Sequence, residues 1–267
     1  MNNAPYTDPH SPQTEWIDTP WLEEGGIGKL EMIVRRPEGN GPFPVVIFNH
    51  GSTGTGRNPR KFSKTFDSAE IGSFFNELGW MVLYPQRRGR GRSCGKYLEG
   101  ISTDRLGYSC DPAISLCGVD RAIDDLDVVM GHVLKRDDVL KQRIVVAGVS
   151  RGGALSIAFA GLRGDELAGV INFSGGWLSQ ACRSTYAPIN ESIVIRGATY
   201  DKPMLWLHGR TDNYYGIQHC KNNFDSFRNA GGLGSFYVLS AGHNLAFRPT
   251  LWSSLVRQYM HTIEGGS

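Results

Sequence analysis

The stretch from Arg143 to Gly153, Arg-Ile-Val-Val-Ala-Gly-Val-Ser-Arg-Gly-Gly, constrains the fold of this chain more than any other. Its β-branched apolar run reads as a buried strand of a parallel sheet. The run stops at Gly148-Val149-Ser150-Arg151-Gly152, and Ala154-Leu-Ser-Ile-Ala-Phe-Ala160 reads as a helix. Strand, tight turn and helix, with serine at the apex, is the setting that lifts a hydroxyl clear of a sheet. Gly148 and Gly152 flank the serine because a Cβ at either place would crowd the turned backbone. The turn also aims the first helix amides at one point. Ser150 is therefore a candidate nucleophile, and the Arg151 amide a candidate donor to an oxyanion. The rest of the chain must supply a base, an acid and a second donor.

Upstream, two apolar stretches between Trp16 and Arg36, broken at Gly25-Gly26, suit antiparallel strands at a sheet edge. Residues 1–13, rich in Pro, Asn and Asp, read as a loose arm. After the turn cluster Pro37–Pro44, Val45-Val-Ile-Phe48 is a short apolar strand that runs into Asn49-His50-Gly51-Ser52. A glycine directly after a buried strand lets the backbone swing, so the Ser52 amide is the second candidate oxyanion donor. Helical spacing of Phe66, Ile71, Phe74, Phe75 and Leu78 predicts a helix near 61–78, ahead of a strand at Trp80–Tyr84.

Pro85 to Ser93 then carries four arginines among glycines. An RNA-binding reading is disfavoured, because the run is short and the formal charge of the chain is only +2. Arginines that pair locally or face an anionic substrate are expected instead. Residues 94–117 read as a long loop, of the kind that forms lids and binding loops. A helix follows over 118–135, with His132 in a structural place. Beyond the serine come a strand at 167–173, a second excursion over 178–201, a strand at 203–207, a helix near 216–229, a strand at 235–239 and a helix at 248–263. Alternating strands and helices predict one α/β domain over residues 1–267, with a mostly parallel sheet of about eight strands covered on both faces.

A serine hydroxyl needs a base to take its proton, and imidazole suits that task near neutrality. Of seven histidines, His10 lies in the arm, His50 in the candidate oxyanion loop, and His132, His219 and His261 on helices. His208 ends a strand, where its ring is expected to pack under the following loop. His243, between Gly242 and Asn244 after the last strand, is left as the base. Asp212 lies in the loop after the preceding strand, whereas Asp201 precedes that strand and Asp225 is mid-helix, so Asp212 is the acid. The chain order Ser150, Asp212, His243 differs from the orders of chymotrypsin and subtilisin.

With those residues in hand the chain resembles the α/β-hydrolase superfamily, and most closely its dienelactone-hydrolase-like branch of small serine esterases. The resemblance rests on Asn49-His50-Gly51, Arg88–Ser93, Gly148–Gly153, Leu205–Gly209 with Asp212, and Gly242-His243, from about Val45 onward. It implies an α/β-hydrolase fold and cleavage of small or medium carboxylic esters, without metal or organic cofactor. Trp177 and Tyr215 are expected to shape the substrate pocket together with the two excursions. Dienelactone hydrolases use a cysteine nucleophile where this chain has Ser150, which argues against dienelactone itself as substrate. Peptidases related to prolyl oligopeptidase share the motifs and remain an alternative, although they carry a large propeller for which this chain has no room. A non-catalytic binding protein of the same fold is the other.

Composition narrows the partners. No apolar run approaches the roughly 18 residues that span a bilayer, so a membrane is not an expected partner, and the formal charge of +2 argues against a nucleic acid. A monomer or homodimer acting on a small ester is expected. The N-terminus has neither a basic start nor an apolar core, so the cytoplasm is the expected compartment, or the periplasm or exterior if a leader has been removed. Cys94, Cys110, Cys117, Cys182 and Cys220 show no C-x-x-C spacing, which excludes a zinc ribbon and a thioredoxin-type motif. Two states stay open: free thiols, or a disulfide joining Cys110 or Cys117 to Cys182 in an exported protein.

Overall fold

The computed structural model describes residues 11–23, 26–102, 104 and 107–265, with backbone alone at 23. Strands β1 (Gln13–Glu23) and β2 (Gly26–Arg35) form an antiparallel hairpin at one sheet edge. β2 then pairs antiparallel with β4 (Met81–Pro85). Strands β3 (Phe43–Asn49), β5 (Val139–Val149), β6 (Gly169–Phe173), β7 (Met204–Gly209) and β8 (Gly234–Leu239) continue in parallel. The order across the eight strands is β1-β2-β4-β3-β5-β6-β7-β8. Of the expected arm, residues 1–10 lie outside the described residues, as does Gly25 of the hairpin break.

Period-two alternation sends consecutive residues of each central strand into different clusters. Val45 and Ile47 of β3, Ile144 and Val146 of β5, and Met204 and Trp206 of β7 face one side. Val46 and Phe48, Val145 and Ala147, and Leu205 and Leu207 face the other. Both faces are covered, which is why these strands read as unbroken apolar runs. Helices α2 (Pro112–Val133), α3 (Arg151–Arg163), α4 (Tyr186–Ile195) and α5 (Ile217–Asn229) pack on the first side. Helices α1 (Ala69–Glu77) and α6 (Pro249–Glu264) pack on the second. On α6, Trp252, Val256 and Met260 recur at helical spacing and are buried. Each such side chain stabilises the fold by about 1.5–3 kcal/mol.

Three expected boundaries are corrected. The helix near 61–78 is only α1, preceded by a short 3-10 turn at Pro59–Lys61. The Gln86 side chain captures the backbone of Phe66, accepting from its amide (2.7 Å) and donating to its carbonyl (2.9 Å). The helix can therefore start only after Ser68, whose hydroxyl caps the Ile71 amide (3.3 Å). The helix at 118–135 begins earlier, because Asp111 caps the Ile114 amide (2.9 Å) and Pro112 fits the first turn. The loop after β4 thus ends near 111 rather than 117. The excursion at 178–201 is not all loop: it contains α4, whose Ile189, Ile193 and Val194 join the first cluster. Among the described residues no helix is long and apolar enough to cross a membrane.

Candidate active site

The carboxyl ends of β3, β5, β6, β7 and β8 come together at one edge, where open α/β sheets hold their ligands. Ser150 follows β5 at φ 58° and ψ −124°, a conformation that L-residues rarely adopt. It is held there because its amide donates to Phe173 O (3.0 Å) while its carbonyl accepts from Gly153 and Ala154. The flanking glycines are obligatory. A Cβ on Gly152 would lie 2.1 Å from Asn49 O, and one on Gly148 2.4 Å from the Gly152 carbonyl. Among the described residues no protein acceptor takes the amides of Ser52 or Arg151.

The loop after β3 presses against this turn: a Cβ on Gly51 would stand 3.0 Å from Ser150 Cβ. Buried His50 fixes the loop. Its Nδ1 donates to Gly51 O (2.9 Å) and its Nε2 accepts from the Arg87 amide (3.3 Å), which defines a neutral ring. Burial, then the charges of Arg87 and Arg90, hold its pKa well below the ordinary 6.5. The Arg87 guanidinium also donates to His50 O (3.0 Å) and pairs with buried Glu99 (3.0 Å). Burial pushes the Glu99 carboxyl up, but the Arg87 charge and hydrogen bond outweigh it and hold the pKa below normal.

Asp212 lies beyond β7 and His243 beyond β8. The two loops are tied by Thr211, whose amide (2.9 Å) and hydroxyl (3.0 Å) both donate to Ala241 O. His243 Nδ1 donates to Asp212 Oδ2 at 2.8 Å. The other carboxylate oxygen accepts from the amides of Tyr214 (2.8 Å) and Tyr215 (3.1 Å). Burial pushes the Asp212 pKa up, yet these hydrogen bonds, led by that from His243, leave it below normal. His208 lies under this loop as expected: its Nε2 donates to Tyr215 O (2.9 Å) and burial lowers its pKa.

Ser150, His243 and the Ser52 and Arg151 residues line one cavity of about 760 Å³. No hydrogen bond joins Ser150 to His243 among the described residues. Burial raises the pKa of the Tyr215 phenol, which lines the same cavity, against an opposing influence of the Ser150 side chain. Tyr215 in turn donates to Gly176 O (2.7 Å). Trp177 and Tyr215, expected at the pocket, are both buried in its wall.

Three wall features escaped the sequence reading. The Arg151 guanidinium, beyond its backbone role, lies 3.8 Å from the Tyr108 ring centre and 4.7 Å from that of Trp177. It donates to Trp177 O (3.0 Å) and to Glu99 O. Tyr214 sets its ring 4.6 Å from that of His243, and the adjacent Tyr215 was the available signal for it. Arg90 lines the cavity and donates to Gly51 O (3.2 Å). The two open cysteine states resolve as a Cys110–Cys182 disulfide with Cα atoms 5.2 Å apart. Among the described residues no cluster of His, Cys, Asp and Glu is suited to a metal ion.

A mixed sheet in this order, helix-covered on both faces, defines an α/β hydrolase. Est1E from Butyrivibrio proteoclasticus superposes with a TM-score of 0.63 at 18% identity, over 94% of this chain and 98% of that one. Pyrococcus horikoshii acylaminoacyl peptidase gives 0.66 at 16% identity, over 95% of this chain and 41% of that one. The signature of the dienelactone hydrolase family matches residues 30–246, and the chain belongs to that family. It is similar to acyl-protein thioesterase 1 homolog 1 of Dictyostelium discoideum, with 27% identity over 47% of this chain and 52% of that protein. It is also similar to a probable inactive carboxylesterase of Oryza sativa subsp. japonica, with 31% identity over 40% of each. The chain spans about half the length, or less, of these curated relatives.

Proposed function

We propose that this chain is a serine hydrolase of small to medium carboxylic esters. The observation that carries the reading is the Asp212–His243 hydrogen bond, delivered to the same cavity as a serine in a strained turn. Substrate entry turns the Ser150 hydroxyl toward His243. Ser150 Oγ attacks the ester carbonyl as His243 Nε2 takes its proton, and Asp212 holds the ring in the required tautomer. The Ser52 and Arg151 amides stabilise the oxyanion, at about 3 kcal/mol per donor. His243 returns the proton to the departing alcohol, and water then cleaves the acyl-enzyme by the reverse sequence. The reaction requires neither metal nor organic cofactor. Trp177 and Tyr215 bound the space for the acyl and alcohol groups.

The thioesterase and carboxylesterase relatives support an ester-type substrate. An amide would use the same groups, so ester and amide analogues compared at equal acyl group separate an esterase from a peptidase. The probable inactive relative motivates a second reading, ligand binding without turnover. Intact-mass labelling with a fluorophosphonate decides between these. One adduct, mapped to Ser150, absent in Ser150→Ala and suppressed in His243→Ala, is expected. Folded protein without an adduct would sink the hydrolase reading.

A further inference from the structure

Two segments form opposite rims of the candidate active-site cavity. Gly107, Tyr108 and Cys110 come from the loop after β4, and Leu178, Ala181 and Cys182 from the loop after β6. Close to Ser150 the rims are joined by Arg151, whose side chain bonds Glu99 O and Trp177 O. Farther from Ser150 two further ties are present. The Thr185 hydroxyl donates to Cys110 O (2.8 Å), at an exposed position. Beyond that, the Cys110–Cys182 disulfide closes the gap.

The location of the disulfide gives it leverage. Cys110 directly precedes Asp111, the capping residue of α2. Cys182 O accepts from Thr185 N (3.0 Å) and Tyr186 N (2.9 Å) at the entry to α4. Each half of the cystine is thus anchored to a helix that packs on the main core, and both cysteines line the pocket. Arg151 ties the rims near Ser150, so at the outer end their spacing depends on the covalent bond and the exposed Thr185 hydrogen bond.

From this geometry we propose that the Cys110–Cys182 cystine is a specificity-determining brace, one that holds the cavity to the width of small acyl and alcohol groups. The proposal rests on the esterase reading. A dithiol reductant cleaves the bond by exchange: each cysteine gains one hydrogen as a thiol, and the reductant leaves as its cyclic disulfide. With the brace open, small esters lose a preformed wall and bind more weakly, while bulky esters gain room.

The test uses the whole chain, oxidised or reduced with dithiothreitol, with reduction verified by mass. Kinetics are followed on p-nitrophenyl acetate and on a p-nitrophenyl ester of a branched, bulky acid. Reduction is expected to raise KM for the acetate about threefold to tenfold, with kcat nearly unchanged, and to shift the kcat/KM ratio toward the bulky ester. Cys110→Ser/Cys182→Ser is expected to behave as the reduced protein whether or not dithiol is present. Unchanged selectivity after verified reduction would overturn the proposal. Hydrogen exchange supplies a readout independent of activity. Faster exchange concentrated in 107–111 and 178–185 supports the brace, and identical exchange in those segments overturns it. Loss of Ser150 labelling in both redox states would instead refute the esterase reading, and the exchange result would still decide the brace. If the double variant does not fold, Cys110→Ala/Cys182→Val, which keeps the buried 182 position apolar, takes its place in the same comparison.

Discussion

Ser150 sits at φ 58° and ψ −124° without being glycine, and this conformation can be given a magnitude. Such a residue costs about 1–3 kcal/mol. Comparing Ser150→Gly with Ser150→Ala isolates that cost, because both lose the hydroxyl and only glycine relieves the backbone. Glycine gives back about 0.4–1 kcal/mol through the freedom it adds to the unfolded chain. It gives back up to about 0.8 kcal/mol more for the buried methyl that alanine keeps. The balance leaves the glycine variant about 1 kcal/mol more stable than the alanine variant. At a relaxed position the same comparison runs the other way, with glycine less stable by about 1–2 kcal/mol. Urea denaturation of both oxidised variants, with equal slopes, reads the difference as a shift in midpoint. In a thermal scan the expected gain is about 2–4 °C. A glycine variant less stable than alanine by about 1 kcal/mol or more would refute the claim that the turn stores strain.

Other outcomes follow from the same geometry. Asp212→Asn is expected to lower kcat by on the order of 10³–10⁴ with an unchanged circular dichroism spectrum, because the ring loses its required tautomer; a loss under tenfold would exclude the role given to Asp212. Gly152→Ala would drive a Cβ to 2.1 Å from Asn49 O, so both fluorophosphonate labelling and folding yield should collapse; normal labelling kinetics would refute the close approach. The Glu99 carboxyl has a folded pKa below its ordinary 4.5, so its contribution to stability is full above that value and is lost as pH falls through the folded pKa. Urea midpoints measured downward from pH 5 should fall less steeply in Glu99→Gln than in the wild type, and parallel curves would contradict this. Closing a sequence separation of 72 residues, the disulfide should add roughly 4 kcal/mol at most by chain entropy, seen as a lower urea midpoint on reduction.

The central strands and the turn at Ser150 were readable because local and global requirements coincide there. A run such as Ile144 to Ala147 is β-branched or small throughout, as a strand covered on both faces must be. The candidate base and acid were found by topology, since loops after successive parallel strands must meet at one edge. Where the reading failed, a tertiary contact overrode a local pattern. Phe66 has helical spacing with the residues of α1, yet Gln86, twenty positions on, holds its backbone outside the helix. At α2 the capping residue and proline were present in the sequence, and the glycine at 118 drew the boundary too late. The sequence reading did not separate α4 from the excursion that holds it, although Ile189, Ile193 and Val194 fall in the core cluster. The side-chain role of Arg151 had no local signal, because its partners Tyr108 and Trp177 come from loops distant in sequence.

The neutral, buried ring of His50 bears on how experiments on this chain would be interpreted. In a histidine scan, its replacement would release the Gly51 carbonyl and the Arg87 amide together, and the loop carrying Ser52 would lose its anchor. On the proposed mechanism that change would cost activity, as loss of His243 would, so activity alone would nominate two bases. The two differ in what an added small molecule can repair. Free imidazole can stand in for a missing proton acceptor that faces an open cavity, as His243 does, but it cannot rebuild a buried anchor.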